Sequence, residues 1–249
     1  MKNGLCHLSA VPLRSAGSDK AEVVSQLLYG EHFKIMESQK NWSYIRLYAD
    51  GYEGWIDNKQ YVSITEEEAT YLSENAFLCS ADLIEFVSTR EHQLLPIHIG
   101  SSIAACRLLE HEFDGMSNKE IKSYEHIAEV ALLYLNAPYA WGGKCPFGLD
   151  CSGFVQVVYK ICGIAISRDA SDQARQGKLL SFIEESHVGD LAFFNNEEGK
   201  IIHVGILLGN NKIIHAHGQV RIDLIDHQGI FNVDRKTYSH NLRLLKTYR

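Results

Sequence analysis

No stretch of this chain holds the roughly 20 consecutive apolar residues that a membrane-spanning helix needs. The amino terminus, MKNGLCHLSAVPLRS, has a charge at Lys2 but no unbroken apolar run of signal-peptide length. Leu5-Cys6 stands too close to the start for a lipoprotein signal. The expectation is a cytoplasmic protein with no membrane partner, provided Met1 is the natural start. Paired cysteines are missing as well. Cys6, Cys79, Cys106, Cys145, Cys151 and Cys162 form no CxxC pair, and six in 249 residues are too sparse for a disulfide framework. They read as reduced, mostly buried small hydrophobes. An excess of positive charge is also lacking: 24 Lys and Arg against 31 Asp and Glu leave a net charge of −7. That balance excludes a nucleic-acid partner or an anionic membrane surface and favours small molecules or peptides. With 45% hydrophobic residues the chain has material for a sizeable core, as one large domain or two modest ones. The sequence leaves the oligomeric state open.

Three regions follow from the patterning. Residues 1–64 read as short strands separated by Gly and Asp turns: Val11 to Arg14, Val23 to Leu28, Phe33 to Met36, Trp42 to Leu47 and Gly54 to Ile56, a pattern that suggests a small β-barrel. Residues 65–122 are mixed, with a polar helical start at Glu66-Glu67-Glu68 and a strand-like Leu94 to Gly100; they read as a linker or a shortened second barrel unit. Residues 123–249 open with a helix over Glu125 to Asn136, whose Ile127, Val130, Ala131 and Tyr134 fall on one face, stopped by Pro138. A second helix is predicted over Cys151 to Cys162, with Phe154, Val157, Val158 and Ile161 inward and Gly163 closing it. Strands are expected at Leu191–Phe194, His203–Leu208 and Lys212–His217. Helices followed by an antiparallel sheet make the fold class α+β.

The chemistry centres on Cys151. It lies where a Gly-rich loop becomes a helix, behind Asp150 as a cap, and the helix amides and dipole are expected to favour a thiolate and to receive an oxyanion. Downstream, His203 is the expected base and His215 the group that orients its ring. Geometry sets a condition on that pair. A plain two-residue loop at Asn210-Asn211 puts the two histidines on opposite faces, whereas a three-residue loop or a bulge sets Gly205 opposite His215 and makes His203 a diagonal neighbour about 7–8 Å away. His217 points the same way as His215 and competes for the third role. Cys145, Cys151, His203 and His215 number four soft ligands but lack the paired spacing of structural zinc sites, so neither metal nor other cofactor is expected.

Four separated segments resemble the NlpC/P60 cysteine peptidases: Tyr139-Ala140-Trp141-Gly142-Gly143 with Asp150-Cys151-Ser152-Gly153-Phe154, Gly189-Asp190-Leu191-Ala192-Phe193-Phe194, His203-Val204-Gly205-Ile206, and His215-Ala216. The resemblance covers about 123–249. It implies a papain-like α+β core, a Cys151-His203-His215 triad and cleavage of the γ-D-glutamyl bond to a diamino acid in peptidoglycan stem peptides. The runs Val-Val-Ser-Gln-Leu-Leu-Tyr-Gly-Glu, Trp-Ser-Tyr-Ile-Arg-Leu and Asp-Gly-Tyr-Glu-Gly-Trp-Ile are similar to a bacterial SH3 (SH3b) domain. Together the two resemble the γ-D-glutamyl-L-diamino acid endopeptidases of murein recycling, which act on free peptides and need an unblocked amino-terminal alanine. By motif position the resemblance puts Tyr139 beside the oxyanion and makes Asp150, Ser152 and Trp141 substrate contacts. Ser171 joins them from the Ser167–Gln173 segment, where Asp169 would bind the peptide ammonium. Glu53 of the SH3b-like region would wall off the same end. Asp169 fits a helix cap equally well, and Glu53 a solvated turn. An exported wall hydrolase and a non-catalytic wall-peptide binder are the alternatives.

Overall fold

Apolar residues at every second position shape the first strands: Val11 and Leu13 in one, Ile45 and Leu47 in another, are buried while their neighbours face outward. The computed structural model describes residues 2–119 and 123–249. Its packing divides the chain into two units, Met1–Lys122 with Trp141–Pro146, and Ser123–Ala140 with Phe147–Arg249.

In the first unit, β1 (Lys2–Leu5), β2 (Ala10–Arg14), β3 (Val23–Leu28), β4 (His32–Ser38), β5 (Trp42–Leu47), β6 (Glu53–Asp57) and β7 (Val62–Ile64) form one antiparallel sheet in the order β3-β2-β6-β5-β4-β1-β7. It curls into a small barrel around Cys6, Val11, Leu13, Leu27, Phe33, Ile45, Leu47 and Ile56. The residues beyond position 64 continue this unit. Helix α1 (Glu66–Glu74) starts from a capping box between Thr65 and Glu68, and β8 (Ile84–Ser88) pairs with β9 (Leu94–His98). A short α2 (Cys106–Leu109) follows. Leu72, Val87, Ile97, Ala104, Ala105 and Cys106 share one core with Leu5 and Tyr29 of the barrel. Gly30, at φ +79°, lets the barrel turn approach so closely that a Cβ there would lie 2.1 Å from the Ser102 carbonyl oxygen. The 64/65 division expected from the sequence therefore runs through a continuous core. The strand β10 (Lys144–Cys145) belongs to the same unit. There Lys144 Nζ meets both oxygens of buried Glu31 at 3.1 Å, and the Lys144 amide donates to Gln26 at 2.7 Å.

The second unit contains α3 (Ile127–Leu132), β11 (Gly148–Leu149), α4 (Cys151–Ile161), α5 (Ala170–Gln173), β12 (Lys178–Leu180), β13 (Leu191–Asn195), β14 (Ile201–Gly209), β15 (Lys212–His217), β16 (Gln219–Ile225), β17 (Gly229–Asn232) and β18 (Thr237–Thr247). The sheet order is β12-β18-β13-β14-β15-β16-β17, and β18 also pairs with β17, so the antiparallel ladder closes on itself. Ala192, Phe194, Leu207, Ile213, Ile225, Ile230 and Leu245 form a core cluster among its strands. Helix α4 packs on β14 and β15 with its expected stripe of Phe154, Val157, Val158 and Ile161 buried. The α+β class read from the sequence holds. Helix α3 ends earlier than its periodicity predicts: Asn136 turns to φ 71° and gives its amide to the Val220 carbonyl at 2.9 Å, drawing the chain onto the sheet. Strands β12 and β16 to β18 of this sheet are additions to the three expected.

Candidate active site

Asp150 sets the position of the nucleophile. Its extended backbone and the 2.7 Å hydrogen bond from the Gly153 amide to its Oδ1 make it the N-cap, so Cys151 is the first residue of α4. The carboxylate is gripped by Arg168, Nη1 to Oδ1 at 3.0 Å and Nη2 to Oδ2 at 2.6 Å. Arg168 Nη1 also donates to Ser152 Oγ at 3.0 Å, and Gln173 Nε2 donates to the Ser152 carbonyl at 3.0 Å. All four side chains are buried. Asp150 and Ser152 are thus engaged in an ion-pair network beneath the thiol.

The thiol departs from the expected thiolate. Burial, with the Asp150 charge adding, pushes Cys151 up to about 12, against backbone hydrogen bonds to Val204 and Ser152 and the Arg168 charge. A helix amino terminus lowers a thiol pKa and burial raises it; here burial is the larger influence and favours the neutral thiol. Its bond to Val204 sets it beside the residue that follows His203.

The histidine condition is met by a bulge. Asn210 and Asn211 form a two-residue turn with both φ values positive, 49° and 57°, and the ladder shifts between Leu207 and Gly209. Leu207 pairs with Ile213, which carries Gly205 opposite His215. The pairing needs glycine, because a Cβ at Gly205 would lie 2.9 Å from the His215 Cβ. His203 Nε2 then meets His215 Nδ1 at 2.8 Å. His217, whose ring centre is 6.4 Å from that of His203, yields the third role to His215.

The chain of polar contacts continues past the histidines. His215 Nε2 meets Asp223 Oδ2 at 3.1 Å. Arg221 donates Nε to Oδ2 at 2.8 Å and Nη2 to Oδ1 at 2.9 Å, and the Val233 amide donates to Oδ1 at 3.2 Å. Burial works to raise the Asp223 carboxyl, but the hydrogen bonds from His215 and Arg221 outweigh it and hold the group far below the usual range. His203 is held well below its ordinary value by burial and then by His215, His240 and His217, and His215 is lowered by burial against the pull of Asp223. His240 lies stacked on His203, ring centres 4.2 Å apart and planes 21° from parallel, and is lowered to about 4 by burial and by His215 and His217. Nitrogens of His203, His215 and His240 fall within 4.8 Å of one another.

Residues 136–237 match the NlpC/P60 family, and residues 13–60 match the bacterial dipeptidyl-peptidase SH3 domain. The chain carries an NlpC/P60 domain and a bacterial SH3 domain. Among similar proteins, a gamma-D-glutamyl-L-lysine dipeptidyl-peptidase of Bacillus subtilis is 29% identical over 214 residues, covering 78% of this chain and 72% of the relative. Dipeptidyl-peptidase 6 of Lysinibacillus sphaericus is 29% identical over 245 residues, covering 84% and 86%. In fold, the chain matches an NlpC/P60 family protein from Bacillus cereus with a TM-score of 0.77 over 99% of both chains, at 19% identity.

Within the NlpC/P60 unit, Tyr139 is half-buried, its amide bonded to the Gly218 carbonyl at 3.0 Å. Burial, followed by the charges of Cys151 and Asp150, lifts its phenol to about 12, so it stands near the thiol as a neutral hydroxyl donor. Asp169 occupies the N-cap position of α5 without a side-chain cap bond and is half-buried, while Ser171 is exposed. Trp141 and Glu53 belong to the other unit. There the Trp141 indole donates to Glu22 at 2.6 Å, and Glu53 accepts from Tyr44 at 2.7 Å and pairs with Arg46. Arg168, Gln173, Asp223, Arg221 and His240 went unread in the sequence. Asp223 had one readable signal: in the strand Val220-Arg221-Ile222-Asp223, a hairpin about Gly218 pairs His215 with Arg221 and sets Asp223 diagonally on the same face.

Proposed function

We propose that the protein is a cysteine endopeptidase cleaving the γ-D-glutamyl bond to the diamino acid in free peptidoglycan stem peptides of the form L-Ala-γ-D-Glu-diamino acid, in murein recycling in the cytoplasm. The observation that carries the reading is buried Cys151 at a helix start, bonded to the backbone of Val204 next to His203, with His203 hydrogen-bonded to His215. The NlpC/P60 match and the dipeptidyl-peptidase names of its relatives support the bond class. The six cysteines, none of them in a disulfide, support a reducing compartment.

The site starts neutral. As Sγ attacks the γ-glutamyl carbonyl carbon, the thiol proton passes to His203, a C–S bond forms, and the oxyanion is received by the amides at the start of α4 and by Tyr139. The C–N bond then breaks, the imidazolium returns its proton to the leaving amine, and water hydrolyses the thioester to the γ-carboxylate and free thiol.

Cys151→Ala is expected to lower kcat at least about 10⁵-fold with folding intact, measured on the free tripeptide with circular dichroism as the folding control. Full turnover by this variant would sink the mechanism. Substrate class is tested by incubating wild type with free tripeptide, N-acetylated tripeptide and whole sacculi. Cleavage confined to the free tripeptide is the expected result. Cleavage of sacculi points instead to a wall hydrolase.

A further inference from the structure

An ionised carboxylate has no proton to give; it accepts only. Asp223 is buried, and three donors besides His215 already converge on it: Arg221 Nε and Nη2, and the Val233 amide. The hydrogen bond to His215 Nε2 must therefore be donated by the imidazole. A neutral imidazole with its proton on Nε2 offers a lone pair at Nδ1, so the 2.8 Å bond between the histidines must be donated by His203 Nε2. One ring nitrogen is then left bare, Nδ1 of His203. We propose that Asp223, held by Arg221, is a positioning residue that fixes the tautomers of both histidines and so presents His203 Nδ1 as the base for the Cys151 proton; the inference rests on the peptidase reading above.

The proton count is consistent through the cycle. The thiol proton moves to Nδ1 and from there to the leaving amine. The two Nε2 protons never move, and the bond from His203 strengthens while that ring is an imidazolium. Without the carboxylate, the reverse tautomers put a proton on His203 Nδ1, which then cannot accept one.

Asp223→Asn separates this role from packing because the Val233 amide dictates how the new side chain sits. Arg221 donates to both oxygens and does not discriminate, and the Val233 N–H at Oδ1 cannot reverse whereas His215 at Oδ2 can change tautomer, so the amide oxygen remains at Oδ1 and the Arg221 Nε bond is lost. The NH₂ then faces His215 Nε2, which must accept, and both rings flip tautomer. In serine peptidases the same exchange at the orienting carboxylate costs about 10⁴ in kcat through a wrong tautomer. Here kcat is expected to fall roughly 10³- to 10⁴-fold with KM changed less than about threefold, and log kcat to climb with pH as hydroxide, in place of His203, generates the thiolate.

The deciding measurement is long-range ¹H–¹⁵N NMR of ¹⁵N-labelled protein, which reads each ring's protonated nitrogen. Wild type is expected to show Nε2–H at both His203 and His215, and Asp223→Asn to show Nδ1–H at both. A wild-type His203 protonated at Nδ1 overturns the proposal, as does an Asp223→Asn variant that keeps the wild-type tautomers or retains kcat within about threefold. If the variant does not fold, the wild-type spectrum still decides. That spectrum is independent of turnover, so failure of the peptidase reading, seen with Cys151→Ala or the substrate panel, is distinguishable from failure here.

Discussion

Asp150 and Asp223 are both buried carboxylates clasped by an arginine through two hydrogen bonds, one beneath the thiol and one beneath the imidazoles. They bias the proton transfer in different ways. Asp150 caps a helix and faces the sulfur, so its charge helps keep Cys151 protonated. Asp223 accepts a hydrogen bond from His215 and works through that ring on the base. Burial favours the neutral form of both Cys151 and His203. The clasps also differ in exposure. The Arg168 side chain is 1% accessible, whereas Arg221 is 19% accessible and reaches out to a second acid, Asp234.

That difference predicts unequal costs of removing the arginine. Arg168→Ala leaves Asp150 buried beside a neutral thiol with its main counter-charge gone, and is expected to cost about 3–5 kcal/mol. Arg221→Ala leaves Asp223 with His215 and the Val233 amide, at a site water can enter, and is expected to cost about 1–3 kcal/mol. Urea denaturation of the two variants at neutral pH measures both. Equal losses would break the comparison.

pH probes the two ends from opposite sides. The folded-state values of His203, His215 and His240 are depressed, so the unfolded chain binds more protons below its ordinary imidazole value near 6.5, and stability present above that value erodes on acidification. For His240, lowered to about 4, the erosion runs from pH 6.5 down to about 4 and amounts to roughly 2–3 kcal/mol. His240→Phe keeps an aromatic ring over His203 and is expected to lose about 2 kcal/mol less than wild type between pH 7 and 4.5, read from urea midpoints. The thiol end has the reverse sign. Cys151 is raised to about 12, so its contribution is present below the unfolded value of 9.0 and is lost as pH climbs from there towards 12. A His240→Phe variant with an unchanged acid limb would show that the imidazole end is not sealed as the thiol end is.

What the sequence disclosed divides along the same line. Cys151, Tyr139 and Asp150 sit in one short segment whose turn, cap and helix stripe are local, so they were legible. His203 and His215 were legible as a condition, because strand periodicity is arithmetic; the bulge at Leu208 that satisfies it depends on how the ladder closes. Arg168 acts across elements, and no local pattern names such a partner; Asp223 had only the hairpin that pairs His215 with Arg221 to mark it. Burial opposes the thiolate expectation for a related reason: helix position is written in the sequence, but the burial that pushes the thiol up is a property of the assembled core. The core shared by Leu5, Tyr29, Leu72 and Val87 likewise joins residues from both sides of a boundary that composition suggested.

The outer arm of the Asp223 clasp gives the smallest effect. Asp234 bonds Arg221 Nη2 at 2.8 Å, but its own side chain is 73% accessible, so water replaces most of what its removal takes away. Asp234→Ala is expected to cost less than about 1 kcal/mol and to change kcat by less than about twofold, because Arg221 keeps both bonds to Asp223. Denaturation and a tripeptide assay check the two numbers. A large loss of kcat with stability preserved would mean that Arg221 cannot hold Asp223 unaided, and would extend the line of residues governing His203 out to the protein surface.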